Sequence, residues 1–209
     1  MSPHDPLVKL FGGPARVKLL RLFLLNPELT LDRAEISKRS KVPARAVAKE
    51  IQVLTQIGLI KSAQVILEGA RGKKIKVNGS RLNTGFKLNA ALSELLFDTD
   101  LFSNEELIKR FQGIGKVKLI ITAGVFLREI DSRVDLLLVV DAMKKSALDR
   151  IIKQLESEIG RELNYTVFSS ADFTYRVSMY DKFVRDVLDY SHNTVIDKIG
   201  LEPSPYNLK

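Results

Sequence analysis

The 209-residue chain has no cysteine, no tryptophan and only two histidines, His4 and His192. Without cysteine there can be no disulfide, no thiolate-ligated zinc and no cysteine nucleophile, and the composition is compatible with a reducing cytosol. Two histidines far apart in sequence exclude a histidine-based metal cluster. Long apolar runs are also missing. The longest uncharged stretches, near Leu119 and Val134, reach about half of the roughly 20 residues a membrane helix needs. The opening residues, MSPHDPLVKL, lack the basic-then-apolar order of a signal peptide. The expectation is a cytoplasmic protein with no membrane partner.

With 45% hydrophobic residues the chain can bury real cores, and its length suits two small domains or one large one. The net charge of +8 is unevenly placed. Residues 1–90 hold 17 Lys and Arg against 6 Asp and Glu, a net of +11; residues 91–209 hold 16 against 19, a net of −3. A basic first half joined to a mildly acidic second half points to two domains with different partners, the first of them suited to nucleic acid.

The most informative stretch runs from Thr30 to Ile60. Two amphipathic segments meet at a break, Ser40-Lys41-Val42-Pro43. In the second, from Ala44 to about Ile57, Val47, Ile51 and Leu54 recur at helical spacing and face a core, while Arg45, Lys49 and Gln52 lie opposite. Thr30 or Asp32 is placed to cap the first segment, and Gly58 to end the second. This is the pattern of a helix-turn-helix. Ahead of it, Pro14 opens a helix with Val17, Leu20, Phe23 and Leu24 inside and Arg16, Lys18 and Arg21 outside, stopped by Asn26-Pro27. After it, residues 61–89 read as a β-hairpin. Val65 and Leu67 alternate with Gln64 and Ile66, and Ile75 and Val77 with Lys74 and Lys76, around a turn carrying Arg71, Lys73 and Lys74.

LVKLFGGPARVKLLRLFLLNPE, the helix-turn-helix and the hairpin together resemble the winged-helix domain of ArsR-type regulators over residues 6–89. The resemblance implies dimers that bind double-stranded DNA and control transcription, with Arg45, Ala48 and Lys49 at groove-facing positions. The candidate DNA contacts are therefore Ala44, Arg45, Ala48, Lys49 and Gln52 on the helix and Arg71, Lys73 and Lys74 on the wing. Pro43 departs from the pattern, standing where many relatives have a capping Ser or Thr. With no Cys or His cluster, metal sensing is excluded.

The second half alternates helices and strands. Residues 91–103 read as a linking helix and turn, with a break at Asp98-Thr99-Asp100 and Ser103 and Glu106 spaced as a capping box. Strands follow at Lys116–Thr122, Val134–Val140 and Leu163–Phe168, with an amphipathic helix at Ser146–Ile159 stopped by Gly160. Two further helices, about Asp172–Met179 and Asp181–Tyr190, and an extended segment Thr194–Ile199 complete residues 104–200. Residues 201–209, with Glu202-Pro203-Ser204-Pro205, form an extended tail. Tyr165, Phe168, Phe173, Tyr175, Tyr180 and Phe183 read as core and interface, and His192 as a surface residue. The fold class is two-domain α+β or α/β: an N-terminal winged helix-turn-helix, then a mixed sheet with packed helices.

Thr122-Ala123-Gly124-Val125, followed after nine residues by Asp135-Leu136-Leu137-Leu138, resembles the signature of the minimal nucleotidyltransferase fold of the polymerase-β-like superfamily. There a Gly-Ser pair opens a helix, and a strand carries two carboxylates at i and i+2 on one face, which clamp Mg²⁺ against a triphosphate. Gly124 and Asp135 match, but Val125 stands for the Ser and Leu137 for the second carboxylate. The third strand offers Asn164 and Thr166 but no acid. The nearby loop acids Glu129 and Asp131 are the candidates to substitute for the missing carboxylate, although a loop carboxylate is ordinarily just solvated. Residues 158–200 also resemble the C-terminal part of proteins that fuse an ArsR-type winged helix to such a domain. Gly124, Val125, Asp135 and Leu137 thus mark a degenerate nucleotide site with no catalytic residue. The expected function is DNA binding and regulation by a homodimer, with a pseudoenzyme domain used for dimerisation, a protein partner or nucleotide sensing. The alternative is an active nucleotidyltransferase or toxin–antitoxin component that regulates itself through the winged helix. No cofactor is expected, and Mg²⁺ enters only under that alternative.

Overall fold

The structure, a computed structural model, describes residues 6–68, 74–97, 101–129 and 132–201. The hairpin-turn residues Arg71 and Lys73, the break at 98–100, the loop acid Asp131 and the tail 202–209 lie outside the described residues. In chain order the elements are α1 (Pro6–Leu10), α2 (Pro14–Leu25), α3 (Arg33–Ser40), α4 (Ala44–Gln56), β1 (Ile60–Glu68), β2 (Lys74–Leu82), α5 (Asn89–Phe97), α6 (Asn104–Phe111), β3 (Lys116–Thr122), β4 (Leu136–Asp141), α7 (Lys145–Ile159), β5 (Tyr165–Phe168), α8 (Ser170–Ser178), α9 (Lys182–Asp189) and β6 (Asn193–Asp197). The chain is of mixed α+β class and divides into two compact units. One comprises Met1–Thr99 with Gln154–Glu162, the other Asp100–Lys153 with Leu163–Lys209. No described helix is long and apolar enough to cross a membrane.

The first unit packs α2, α3 and α4 around Val17, Phe23, Ile36, Val47, Leu54 and Leu59, all essentially inaccessible. Local chemistry sets the helix ends. Pro14 starts α2, where a missing amide hydrogen costs nothing. Asp32, not Thr30, caps α3 by accepting from the Glu35 amide at 2.7 Å. Lys41 turns the chain in the left-handed region (φ 50°), and α4 follows. Pro43 gives α4 no side-chain cap, but its carbonyl accepts from the Ala46 and Val47 amides at 2.9 and 3.0 Å. Gly58 (φ 81°) ends the helix and sends the chain into β1. β1 and β2 pair antiparallel from Ile60↔Leu82 to Glu68↔Lys74. The outer edge of β2 is also held, because Leu31 and Ser80 exchange two backbone hydrogen bonds of 2.9 and 2.8 Å.

Arg21 departs from the outward reading. It is 3% exposed, and its guanidinium donates to the carbonyls of Leu96 and Glu158, both at 3.2 Å. Two main-chain acceptors replace water there, which is what lets a cation sit inside. Beside it Gly160 closes α7 with φ 93°, and its carbonyl accepts from Asn26 Nδ2 at 2.7 Å. A Cβ on Gly160 would stand 2.6 Å from the backbone of both Arg21 and Leu22. Gly160→Ala therefore combines a left-handed backbone with overpacking against main chain, and should cost about 3 kcal/mol. Urea denaturation measures this, and a loss below about 1 kcal/mol would mean that the backbone yields freely.

The second unit is a four-stranded mixed sheet in the order β5-β4-β3-β6, with β3 antiparallel to β4 and β6 and β4 parallel to β5. The central strands are apolar on both faces, as a covered sheet requires. Phe168, Phe173, Val184 and Val187 pack onto one face. Side chains cap three of the helices: Ser103 accepts from the Glu106 amide, Ser169 from Asp172 and Asp181 from Val184. Asp141, at the end of β4, accepts from the Ser170 hydroxyl (2.6 Å) and amide (2.9 Å) and so ties α8 to the sheet. These bonds, the hydroxyl first, hold its carboxyl below the usual range. Two sequence readings are corrected here. Tyr165, Tyr175 and Tyr180 are exposed rather than core, Tyr175 on α8 and Tyr180 just beyond its end, and His192 is buried, its Nδ1 2.9 Å from the Tyr190 carbonyl oxygen.

Candidate functional site

α4 turns Val47 and Leu54 inward, with Ile51 packed behind them. Ala44, Arg45, Lys49 and Gln52 are exposed on the opposite side, and Ala48 is half-buried between them. Arg45, Lys49, Gln52 and Gln56 follow one another by four, three and four residues and so form one stripe along the helix. The helix carries a single acid, Glu50, and that acid is turned away: Arg16 of α2 binds its carboxylate at 2.7 Å. Arg45 and Lys49 make no ion pair among the described residues. On α3, Glu35 is likewise matched, by Arg39 at 2.8 Å and Lys38 at 3.5 Å. The Arg39 hydrogen bond leads the causes that lower its carboxyl pKa. The acids close to this face are thus neutralised within the fold, and its outward field is positive.

Between α4 and the hairpin runs a groove of about 740 Å³ lined by Arg33, Lys49, Gln52, Gln56, Ser62 and Asn78, among others. Lys74, Lys76 and Asn78 are exposed at alternate positions of β2. The sequence reading named Lys74 but missed Lys76, Asn78, Ser62 and Gln56. The period of two in Lys74-Ile75-Lys76-Val77-Asn78 was the signal that would have found two of them. At the foot of this groove Gly79 has no room for a side chain, since a Cβ would stand 2.6 Å from Val65 Cγ2 and 3.0 Å from the Leu31 carbonyl oxygen.

The second candidate, in the other unit, is the corner between β3 and β4. Gly124 (φ 53°) opens a single 3-10 turn, Gly124–Leu127, rather than an α-helix. Asp135 is 6% exposed, and both carboxylate oxygens are occupied: Oδ1 accepts from the Val125 amide and Oδ2 from the Asn164 amide, each at 2.8 Å. A Cβ on Gly124 would overlap Oδ1, which explains the glycine without any phosphate. Leu137 is fully buried in the middle of β4. Glycine and aspartate are therefore brought together as an internal brace, while Val125 and Leu137 contribute packing. This donor set does not fit Mg²⁺, which needs carboxylate oxygens free to face hydrated metal and substrate phosphates. No group of three His, Cys, Asp or Glu able to hold a metal occurs among the described residues.

Beside that corner lies a cavity of about 690 Å³ lined by Arg128, Glu129, Ser132, Arg133, Asp186 and Tyr190, with others. Its two arginines are matched in number by two acids, and Arg133 is bound to Asp186 at 2.7 Å, so no ligand charge is selected. Set against family profiles, curated proteins and solved structures, the chain matches none.

Proposed function

We propose that this protein binds double-stranded DNA through a winged helix-turn-helix in its first unit and regulates transcription. α4 is the helix that enters the major groove, and the β1–β2 hairpin is the wing. The reading rests on one observation above the others. The outer face of α4 presents Arg45, Lys49 and Gln52, while its only acid is held against Arg16. Arginine and lysine suit guanine O6 and N7, glutamine suits adenine N6 and N7, and the small Ala44 and Ala48 let the helix approach the base edges. A homodimer is the natural form, since such domains read half-sites in pairs. The second unit, on this reading, is a nucleotidyltransferase-like domain without the chemistry, serving dimerisation, a protein partner or nucleotide sensing. The braced state of Asp135 weighs against the active-enzyme alternative.

Binding of the full chain to duplex DNA from its own upstream region and to scrambled duplex, across a salt series, tests the proposal. A specific site should survive roughly 150 mM salt, whereas steeply salt-dependent, sequence-blind binding alone would overturn it. Arg45→Ala should weaken the specific complex by about 1–3 kcal/mol and relax selectivity at one position. Lys74→Ala should instead weaken all duplexes alike and lower the salt slope by about 1.

A further inference from the structure

We propose that the second unit carries a phosphate-binding groove at the start of β3, formed by Lys116, Lys118 and Lys198. The groove, of about 360 Å³, is lined by these three lysines with Gln112, Ile108 and Ile196 among its other residues, and no acid lines it. Two of its lysines come from β3 and the third directly follows β6: the Lys198 amide donates to the Lys118 carbonyl at 2.8 Å, which sets the two residues side by side. Lys118 stands at a break in register between β3 and β4, where Val117 pairs with Val140 and Leu119 with Val139. Lys116 and Lys118, two apart, share a face by simple alternation, and the register break lets the intervening Val117 border the same groove.

None of the three lysines makes an ion pair among the described residues. Two acids stand near them, outside the groove lining, and Asp141 is within Coulombic reach of Lys116 and Lys118. Asp141, opposite Lys116 in the sheet, is bound to Ser170, and the Asp197 carboxylate accepts from the amides of Ile199, Gly200 and Leu201 at 2.8, 2.9 and 2.8 Å. Three like charges gathered without a counter-charge in the groove repel one another, and an anion with several negative oxygens relieves that repulsion. Lysine is a point-charge binder of phosphate, and the neutral Gln112 adds a donor. The groove is not the Gly124–Asp135 corner. β3 runs from Lys116 to Thr122, so the two lie at opposite ends of the strand, roughly 20 Å apart. The phosphate comes either from a free oligophosphate, as in a nucleotide tail, or from a nucleic-acid backbone.

The test compares the full chain with a site variant, Lys116→Gln/Lys118→Gln/Lys198→Gln, and a control, Lys145→Gln/Lys153→Gln/Lys182→Gln, which removes the same charge from exposed positions outside the groove. Calorimetry with sodium tripolyphosphate reads the first source. The expected result is binding by wild type and control, weakened about tenfold in the site variant. The salt slope for duplex DNA reads the second, where a fall of about 2–3 confined to the site variant assigns the groove to a nucleic-acid backbone. Equal loss in site and control variants, or no response of the site variant with either probe, overturns the proposal. Lys198→Gln alone, a single exposed substitution, repeats the comparison should the triple variant fold poorly. Tripolyphosphate binding that follows the lysines while wild type ignores DNA would refute the winged-helix reading and leave the groove standing.

Discussion

Asp135→Ala should destabilise the protein by about 3 kcal/mol, because it strips two buried backbone donors of their common acceptor. The Val125 and Asn164 amides each donate to this one carboxylate at 2.8 Å, which adds a side-chain tie to the backbone bonds Asp135 makes with Ala123 and Asn164. At 6% exposure, water cannot take over without opening the corner. Asp135→Asn should cost roughly half as much, since the amide oxygen still accepts one bond while its NH₂ faces the other donor. Urea or thermal denaturation reads both. A nucleotidyltransferase would behave differently: Asp135→Asn would leave the fold intact and remove labelled-nucleotide transfer in the presence of Mg²⁺. Unchanged stability in Asp135→Ala would sink the brace and reopen the enzyme.

Leu137→Asp is the larger effect. It writes back the carboxylate-apolar-carboxylate spacing that the nucleotidyltransferase signature demands, yet Leu137 is fully buried in β4, opposite Ile121 on one neighbour and Thr166 on the other. An unpaired carboxylate there has no cation and no water, and the fold should lose more than about 4 kcal/mol, enough to unfold a marginal domain at neutral pH. Leu137→Met, which keeps the volume, should cost less than about 1.5 kcal/mol. The decisive comparison is thermal stability of Leu137→Asp with and without millimolar Mg²⁺. A soluble variant that Mg²⁺ stabilises would mean that the corner can host a cation after all.

The parts of the fold that follow from local spacing were readable. The inward triad Val47, Ile51 and Leu54 of α4, the Ser103 cap and the Gly58 and Gly160 stops each depend on neighbours within one or two turns. What the sequence hides is set by partners far along the chain. Arg21 looks like an outward cation until the Leu96 and Glu158 carbonyls are placed beside it. Asp135 reads as the remnant of a nucleotide site because the same Gly-and-Asp spacing serves a brace equally well, and the Asn164 amide, 29 residues on, distinguishes them. Lys118 is one lysine among many until the backbone bond from Lys198, eighty residues on, sets the two side by side. Tyr175 carries apolar bulk within a helix whose buried side is taken by Phe173, and Tyr180 falls past the helix end at a left-handed turn (φ 52°).

The Arg16–Glu50 pair has a genetic consequence. Arg16 sits on α2, outside the stripe proposed to meet DNA, yet its loss would leave Glu50 without its counter-ion on the very helix that bears Arg45 and Lys49. A mutation at position 16 would then imitate a lesion in the contact surface, and a neutral residue at position 50 would act as its suppressor. If α4 reads DNA as proposed, a residue outside the contact stripe would thus help set which duplexes the helix accepts.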